Sequence, residues 1–159
     1  MHPTHNTLPE RVRAGSVEML NLHLAAAIDL HAQVKQAHWN VRGPGFLAVH
    51  QFFDTISTAV EDWSDKIAER AGALGGVAHG TLQVAVARSY LIPYPHGIAE
   101  VPAHIFAVAG SLAAFGQAIR NAIGETTNRG DVDTADLLTE ISRAVDLQLW
   151  FVESHTALA

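Results

Sequence analysis

Two long stretches of helical periodicity, separated only by Gly43-Pro44-Gly45, constrain the fold of this chain more than any other feature. In the first, from about residue 9 to residue 40, apolar side chains recur with a period near 3.6 residues, as on one face of an amphipathic helix. The second runs from about 46 to 74, keeps the same period and ends at Gly75-Gly76. Because glycine and proline interrupt a helix and allow a tight turn, the pattern predicts two long helices joined by a short connection.

Two further long helices are predicted after a long connection, residues 75–98, in which a short helical piece near 81–88 is expected. The third long helix spans about 99–126 and the fourth about 131–152. Residues 7–10, Thr-Leu-Pro-Glu, have the form of a capping box at the start of the first helix. Four helices joined by two short turns and one long crossover form a four-helix bundle.

Length and composition limit the classes of protein to which this chain can belong. At 159 residues it can bury one ordinary core, and we expect a single domain over 1–159 with a flexible tail at 1–8. Charged residues are only 16% of the chain and apolar ones 48%, which favours burial of surface between subunits. The net charge of −6 argues against a general nucleic-acid binder, whose field is usually positive.

Neither a secretory signal nor a membrane span is expected. The first seven residues lack a basic region followed by an apolar core. The longest uncharged stretch, 105–119, is shorter than the roughly 20 residues that a span needs, and it is interpreted as a buried core helix. The chain contains no cysteine, which excludes disulfides and thiolate chemistry. A soluble cytoplasmic protein is therefore expected.

The second helix carries two pairs of metal-type side chains. His50 lies four residues before Asp54, and Asp65 four residues before Glu69, so each pair shares a helix face. At about 100° per residue, all four side chains lie within about 100° of one another. However, His50 and Asp65 are 15 residues apart, roughly 22 Å along the helix axis. One metal centre cannot span that distance, so a single chain does not complete a site.

Two copies of the chain remove this difficulty. If the second helix packs antiparallel against its mate about a two-fold axis near residues 59–60, residue i faces residue 119 − i of the partner. Asp54 then faces the partner's Asp65, and His50 faces the partner's Glu69. A two-fold interface repeats each contact, so the dimer would hold two equivalent sites.

Small side chains and a further histidine are consistent with such a dimer. Thr58 and Ala59 would lie near the crossing and permit close approach of the two helices. His38 ends the first helix just across the turn from the start of the second, and it would complete each site. Two imidazoles and three carboxylates form a borderline-to-hard ligand set, which suits Fe(II), with Zn(II), Mn(II) or Co(II) as competitors.

A second interpretation of the same residues needs no metal. Acidic side chains at helical spacing usually form a solvated face, and a lone histidine such as His50 is more often an interface residue than a ligand. The chain has no Glu-x-x-His, which marks the intrachain di-iron sites of helical bundles. Spacing alone therefore leaves both the metal site and the solvated face open.

Several segments of the chain closely resemble the Dps family, the miniature ferritins also called DNA-binding proteins from starved cells. The resemblance covers about residues 10–155, and the spacing from His38 to Glu69 agrees with the family at every ligand position. The segments are 35–43 with its His-Trp-Asn, 46–50 with Asp54, 65–71 with 74–76, 133–136 and 149–154.

The resemblance implies an all-α, ferritin-like four-helix bundle with a long crossover between the second and third long helices. It implies a hollow homo-dodecamer of two-fold dimers, in which His38, His50 and Asp54 of one subunit meet the partner's Asp65 and Glu69. It further implies a ferroxidase that uses hydrogen peroxide, with two iron ions per site. Such a protein would store ferric mineral and protect against oxidative stress in the bacterial cytoplasm or nucleoid.

The pairing of two irons has a chemical reason. Hydrogen peroxide accepts two electrons and each Fe(II) gives one, so two irons held side by side avoid the release of hydroxyl radical. Trp39, beside the His38 ligand, is a candidate radical trap, although ordinary packing is its simpler role. His31 lies two turns before His38 and is interpreted as an ordinary histidine.

The resemblance also implies an acidic pore through which iron enters the shell. Asp131, Asp136 and Glu140, at the start of the fourth helix, match the family's pore positions. The alternative role for these carboxylates is N-terminal capping and neutralisation of the helix dipole. The two roles are compatible.

The chain departs from the family in its basic residues. Residues 1–10 contain no lysine or arginine, and no basic residue follows Trp150. Since neutralisation of phosphates holds proteins on DNA, no DNA binding is expected at neutral pH. A nucleoid-associated DNA-protecting protein is kept as the alternative function. A helical assembly whose metal site mainly stabilises the dimer is a third possibility.

Overall fold

The computed structural model describes residues 1–156, which form five helices that follow the predicted pattern closely. They are α1 (Glu10–Asn40), α2 (Phe46–Ala73), α3 (Leu82–Arg88), α4 (Val101–Arg129) and α5 (Val132–Glu153). The four long helices and the short helix inside the crossover are thereby confirmed. The third predicted long helix, 99–126, in fact continues to Arg129, because Gly130 supplies the left-handed residue (φ 88°) that ends it.

The capping box predicted at Thr7 is wrong. Pro9 occupies the N-cap position of α1, and no side chain there accepts a hydrogen bond from the first turn. Instead, Oδ1 of Asn6 accepts a hydrogen bond of 2.9 Å from the Leu8 N–H, which turns the chain just before the helix. The His2 N–H donates to the Gly75 carbonyl at 2.6 Å. A flexible tail over 1–8 stays a prediction.

The core lies between two helix pairs, α1 with α2 and α4 with α5, and α1 also contacts α4. Trp63 of α2 stacks on Phe115 of α4, with ring centroids 6.3 Å apart. Where α4 meets α5, a Cβ on Gly116 would lie 3.0 Å from a methyl group of Val145, so a larger residue would push the helices apart. The largest fully buried side chains are Phe53, Phe115, Leu20, Leu30, Ile56, Ile67, Leu74, Ile105, Leu112, Ile119, Leu138 and Ile141.

The crossover between α2 and α4 is attached to α1 near its start and to the turn between α1 and α2 near its end. Near its start, the Asn21 side chain donates to the Val77 carbonyl and accepts from the His79 N–H. Near its end, the Arg42 N–H donates to the Ala99 carbonyl at 2.7 Å. The second contact supports the turn between α1 and α2, where the predicted site begins.

Among the described residues, α4 is the one helix long and apolar enough to cross a membrane by length and composition. Its most apolar 18-residue window has a mean hydropathy of 1.3, and 39% of that window is buried. The buried residues include Ile105, Leu112 and Ile119, which belong to the bundle core. We therefore assign α4 to the bundle, where the face that carries these residues is buried in the core, as expected for a core helix.

Candidate metal centre

His38 and His50 stack face to face across the turn between α1 and α2. Their ring centroids are 3.8 Å apart and their planes differ by 20°. Nδ1 of His38 lies 2.8 Å from the His50 carbonyl oxygen, and Nδ1 of His50 lies 2.8 Å from the His38 carbonyl oxygen. Each ring thus hydrogen-bonds the backbone of the other residue, which fixes the position of both.

These hydrogen bonds also determine which ring nitrogen is free. A carbonyl oxygen only accepts hydrogen bonds, so Nδ1 of each ring must carry the proton and donate it. In a neutral imidazole the other nitrogen, Nε2, then holds a lone pair. Metal-bound histidines are held in the same way, with one nitrogen donating to a carbonyl or carboxylate and the other ligating the metal. His38 and His50 therefore fit a metal ligand role better than a merely packed one.

Asp54 lies one turn beyond His50 and is paired with a lysine that the site prediction had not included. Nζ of Lys35 is 2.7 Å from Oδ1 of Asp54, and the Asp54 side chain is 55% exposed. The hydrogen bond and the charge of Lys35 lower the pKa of Asp54, and the charges of His38 and His50 contribute in the same direction. Asp54 is thus held as a carboxylate, but a metal ion must displace the ammonium group to bind it.

Replacement of Lys35 by glutamine is expected to tighten Fe(II) binding. The ammonium competes with the metal for Asp54, and because an exposed ion pair is weak, the gain in affinity should be no more than a few-fold. Anaerobic Fe(II) titration measures the change. Lys66→Gln is the matched control. Lys66 is the other lysine of the sequence, and it pairs with Asp62 and Glu140, which are not proposed ligands of this centre. Unchanged or weaker binding in Lys35→Gln would show that the ion pair does not compete.

Trp39, the candidate radical trap, is not packed inside the chain. Its side chain is 66% exposed. The nearest charge is Nζ of Lys35, which lies 5.8 Å from the ring centroid in a cation–π arrangement. The expectation of ordinary packing therefore does not hold within the subunit, and the radical-trap role stays a prediction.

The other predicted half of the site is exposed and free of ion pairs. Asp65 and Glu69 both lie on the solvent side of α2, and neither forms a salt bridge within residues 1–156. Asp65 borders an open groove of about 670 Å³ between α1, α2 and the start of the crossover. The opposite wall of this groove includes Leu24 and Ile28 of α1. A second subunit can approach these carboxylates through that groove.

One subunit does not assemble the predicted ligands. Among residues 1–156 there is no group of three or more histidine, aspartate or glutamate side chains close enough to hold a metal ion. His38, His50 and Asp54, near the start of α2, do not form such a group by themselves. Asp65 and Glu69 lie toward the other end of the helix. This separation agrees with the helical spacing, by which the two halves can meet only between two chains.

Ala59 does not lie on the predicted two-fold face of α2. It is partly buried against the core. Around the helix it lies between Phe52 and Lys66, on the side that faces α5. Phe52 contacts Phe151 of α5, and Lys66 pairs with Glu140 of α5. Thr58 and Glu61 are exposed instead, and at about 100° per residue they share the side of the helix that carries the four candidate ligands.

Asp131, predicted as a pore residue, is buried and committed to structural contacts. Its side chain has no exposed surface and lies 2.8 Å from the Arg70 guanidinium. Its carboxylate also accepts from the N–H and hydroxyl of Thr134, which caps α5. Burial raises the pKa of Asp131, but the hydrogen bonds from Thr134 and Arg70 outweigh it and hold the pKa below its usual range. We therefore do not retain Asp131 as a pore-lining residue.

Asp131→Ala is expected to destabilise the fold by about 2 kcal/mol, because it removes a helix cap and leaves Arg70 unpaired. The pKa of Asp131 is lower in the folded state than in the unfolded state, so its ionised carboxylate stabilises the fold. This stabilisation is fully present above the ordinary pKa of an aspartate, and it is lost as the pH falls through the lower pKa of the folded state. Urea unfolding at several pH values measures both effects. Asp133→Ala, an exposed carboxylate in the same first turn, is the control. An equal loss in both variants would contradict the assignment.

The remaining pore candidates, Asp136 and Glu140, are exposed on α5. Glu140 lies 2.8 Å from Nζ of Lys66, which also pairs with Asp62. Asp136 forms no salt bridge within residues 1–156. Of the three predicted positions, Asp136 therefore has the carboxylate most available to a passing cation.

Comparison with known proteins agrees with this fold. The family model of the ferritin-like domain matches residues 17–159. DpsA14 from Streptomyces coelicolor superposes with a TM-score of 0.91 at 36% identity, covering 98% of this chain and 92% of that chain. DpsC from the same organism superposes with a TM-score of 0.90 at 31% identity, covering 100% of this chain and 94% of that one. The fold is thus that of a ferritin-like protein.

A protein of similar sequence narrows the assignment. The DNA protection during starvation protein of Agrobacterium fabrum is 41% identical over 154 residues, which are 97% of this chain and 95% of that protein. This chain belongs to the Dps family of ferritin-like proteins. Iron binding and iron storage are the general functions that this membership supports.

Proposed function

We propose that the protein is a ferroxidase, which oxidises Fe(II) at sites formed between two-fold related subunits. Ferric mineral is stored inside a homo-dodecameric shell, in the bacterial cytoplasm or nucleoid, and protects the cell against oxidative stress. The single observation that carries this proposal is the pair of reciprocal hydrogen bonds between His38 and His50. They leave two Nε2 lone pairs on neighbouring rings, and Asp54 lies one turn beyond His50 on α2.

The role of each ligand follows from its position. His38, His50 and Asp54 form one half of the site, and the partner's Asp65 and Glu69 supply the other. Three carboxylates offset most of the charge of two Fe(II) ions and favour the harder Fe(III) product. Asp65 and Glu69 form no salt bridge among residues 1–156, so this acidic pair is available to a metal held by the other subunit.

The proposed oxidant is hydrogen peroxide. Two Fe(II) ions give two electrons to one peroxide molecule, so the O–O bond is cleaved to water or hydroxide without free hydroxyl radical. Iron would reach the interior past Asp136, whose carboxylate is exposed near the start of α5. Removal of this charge would slow uptake without changing the oxidation site.

Stopped-flow oxidation of anaerobically loaded Fe(II) tests the proposal. Hydrogen peroxide should oxidise two Fe(II) ions per molecule, faster than dioxygen does, and should yield a ferric core inside assembled particles. Sedimentation and electron microscopy give the assembly and the core. Oxidation no faster than that of Fe(II) in buffer would refute the ferroxidase assignment.

DNA protection is the second candidate function, since similar proteins carry that name. The structure offers few free cations for it. Six of the ten lysine and arginine side chains form ion pairs with carboxylates of the same chain. Arg13 is only 8% exposed, and its guanidinium donates to the carbonyls of Leu8 and Leu74.

No gel shift of duplex DNA is therefore expected at physiological salt and neutral pH, because few free lysine and arginine side chains remain to neutralise phosphates. The matched positive control is the triple variant Thr4→Lys, Asn6→Lys and Thr7→Lys, which should produce a salt-sensitive shift. A strong shift of the unmodified protein would make DNA protection the better supported function.

A further inference from the structure

An apolar groove lies between α4 and the end of the crossover. Its volume is about 370 Å³, and no charged side chain is among the described residues that line it. Phe106 of α4 and Ile92 of the crossover both line the groove, and they are 83% and 82% exposed. Because contiguous exposed apolar surface usually marks an interaction site, the groove indicates a contact that one subunit does not make.

The outer face of α4 continues this surface beyond Phe106. Gly110, Ala113 and Ala114 are exposed, and the helix carries no charged side chain from residue 105 to residue 119. A second cavity, of about 470 Å³, lies on the other side of Phe106, between the start of α4 and the end of α5. Phe106 therefore stands between two hollows on a face that is small, uncharged and open.

A second exposed apolar feature, the aromatic knob formed by Trp150 and Phe151, lies near the end of α5. Trp150 is 61% exposed and Phe151 is 37% exposed, and their ring centroids are 4.9 Å apart. Phe151 packs against Phe52 of α2, with ring centroids 6.3 Å apart. The knob thus belongs to the α2–α5 side of the bundle, whereas the groove belongs to α4 and the crossover. They are two different surfaces of one subunit.

A shell of twelve subunits needs a contact between two different surfaces. A two-fold contact joins like surfaces and produces only a pair, so pairs must be joined about three-fold axes, where each contact is heterologous. Aromatic side chains suit the centre of such a contact, because each buries about 150–250 Å². The groove and the aromatic knob supply two such surfaces, both apolar.

Unpaired charges of opposite sign lie beside the two surfaces. Arg42 is exposed, and its N–H donates to the carbonyl of Ala99, the residue after Ile98 of the groove lining. Glu153, three residues after Trp150, is also exposed. Neither forms a salt bridge within residues 1–156. A cation beside the groove and an anion beside the knob give the two surfaces complementary charge.

We propose that the groove of one subunit receives the aromatic knob of a second copy of this chain, about a three-fold axis of the shell. Arg42 of the first subunit then lies beside Glu153 of the second. This inference rests on the dodecameric assembly of the proposed function. The contact is separate from the two-fold face of α2 that carries the iron ligands, so its loss should leave dimers that oxidise Fe(II) but enclose no space for mineral.

Sedimentation velocity of Phe106→Glu tests the contact. The added carboxylate lies in the groove, so this variant should sediment as a dimer where wild type sediments as a dodecamer. Its initial rate of Fe(II) oxidation should be retained, which shows that the subunit is folded. Gln117→Glu is the matched control, because Gln117 is exposed on the same helix but lines neither cavity, and it should stay dodecameric. Dodecamers of Phe106→Glu would overturn the proposal.

Exchange of the two charges tests the orientation of the contact. Arg42→Glu should shift the particles toward dimers, because it places two carboxylates together once per subunit. The double variant Arg42→Glu, Glu153→Arg should recover the dodecamer. Dimers in the double variant would contradict the pairing of these residues.

Cross-linking supplies a direct test, since the chain has no cysteine. Under mild oxidation, the double variant Phe106→Cys, Trp150→Cys should form covalent trimers on a non-reducing gel, and Phe106→Cys alone should run as a monomer. Absence of trimers in dodecamers of the double variant would overturn the proposal. A wild-type protein that sediments only as a dimer would refute the dodecamer of the proposed function as well, while its oxidation rate would still decide the ferroxidase assignment.

Discussion

Replacement of His50 and Asp54 by alanine is expected to abolish peroxide-dependent Fe(II) oxidation in particles that still assemble. The double variant removes one imidazole and one carboxylate from each site, and it also removes the His50 ring whose Nδ1 hydrogen-bonds the His38 carbonyl. Loss of an outer contact to a metal ligand costs roughly 10- to 100-fold, so loss of two ligands should exceed that. Stopped-flow oxidation with matched protein concentrations gives the rate.

His31→Gln is the matched control for this variant. His31 lies on α1 two turns before His38 and is partly exposed, so its replacement changes a histidine near the site without removing a ligand. Its oxidation rate should equal that of wild type. If the His50→Ala, Asp54→Ala protein oxidised iron at the wild-type rate in intact particles, the ligand assignment would be wrong.

Co-assembly of two inactive variants tests whether each site spans two subunits. A variant lacking His50 and Asp54 has one defective half, and a variant lacking Asp65 and Glu69 has the other. In a mixed dimer, one site receives His50 and Asp54 from one subunit and Asp65 and Glu69 from the other. The second site lacks all four of these ligands. Random pairing of equal amounts should restore roughly a quarter of the wild-type sites. If both halves of the site came from one chain, mixing would restore nothing.

Thr58→Glu is expected to abolish oxidation without changing a ligand. Thr58 is exposed on the ligand side of α2, and in the proposed antiparallel packing it faces the partner's Glu61. The substitution places two carboxylates together twice per dimer, and such like-charge contacts cost on the order of several kcal/mol. Analytical ultracentrifugation should show loss of the two-fold contact, and stopped-flow oxidation should show loss of activity.

Thr58→Arg is the control with a similar increase in size and the opposite charge. It would place a guanidinium beside the partner's Glu61, so the dimer and its oxidation rate should be retained. Equal behaviour of the glutamate and arginine variants would mean that this position does not lie at the two-fold contact. The predicted position of the two-fold axis, near residues 59–60, would then be wrong, whereas the assignment of ligands to each half-site would be unaffected.

The local sequence pattern was sufficient for the helices because each helix is defined by its own periodicity and stop signals. Gly43 and Gly45 have φ values of 106° and 77°, as a tight turn between two helices requires. The capping of α1 could not be predicted in the same way. Thr7 fits the pattern of a cap, but the backbone turn made by Asn6 placed Pro9 at that position.

The sequence predicts a set of candidate ligands for the site but not the side chains around them. His38, His50 and Asp54 are predicted as ligands from their spacing and from the family resemblance. Nothing in the sequence indicates that Lys35 forms an ion pair with Asp54. Asp131 is a different case, because an acidic residue at a helix start suits both a pore and a cap, and the sequence does not indicate which contacts it makes. Its burial against Arg70, which comes from packing of α2 against α5, decides between them.

Periodicity and turn residues were thus enough to predict a helical bundle. The four-residue spacing of the acidic and histidine pairs predicts two groups of candidate ligands that are too far apart to join in one chain. Only the tertiary structure shows that His38 and His50 stack and hydrogen-bond each other's backbone. The reason is physical: helical periodicity depends on neighbours within one turn, whereas the orientation of the two rings depends on contacts across the turn, between residues 12 positions apart.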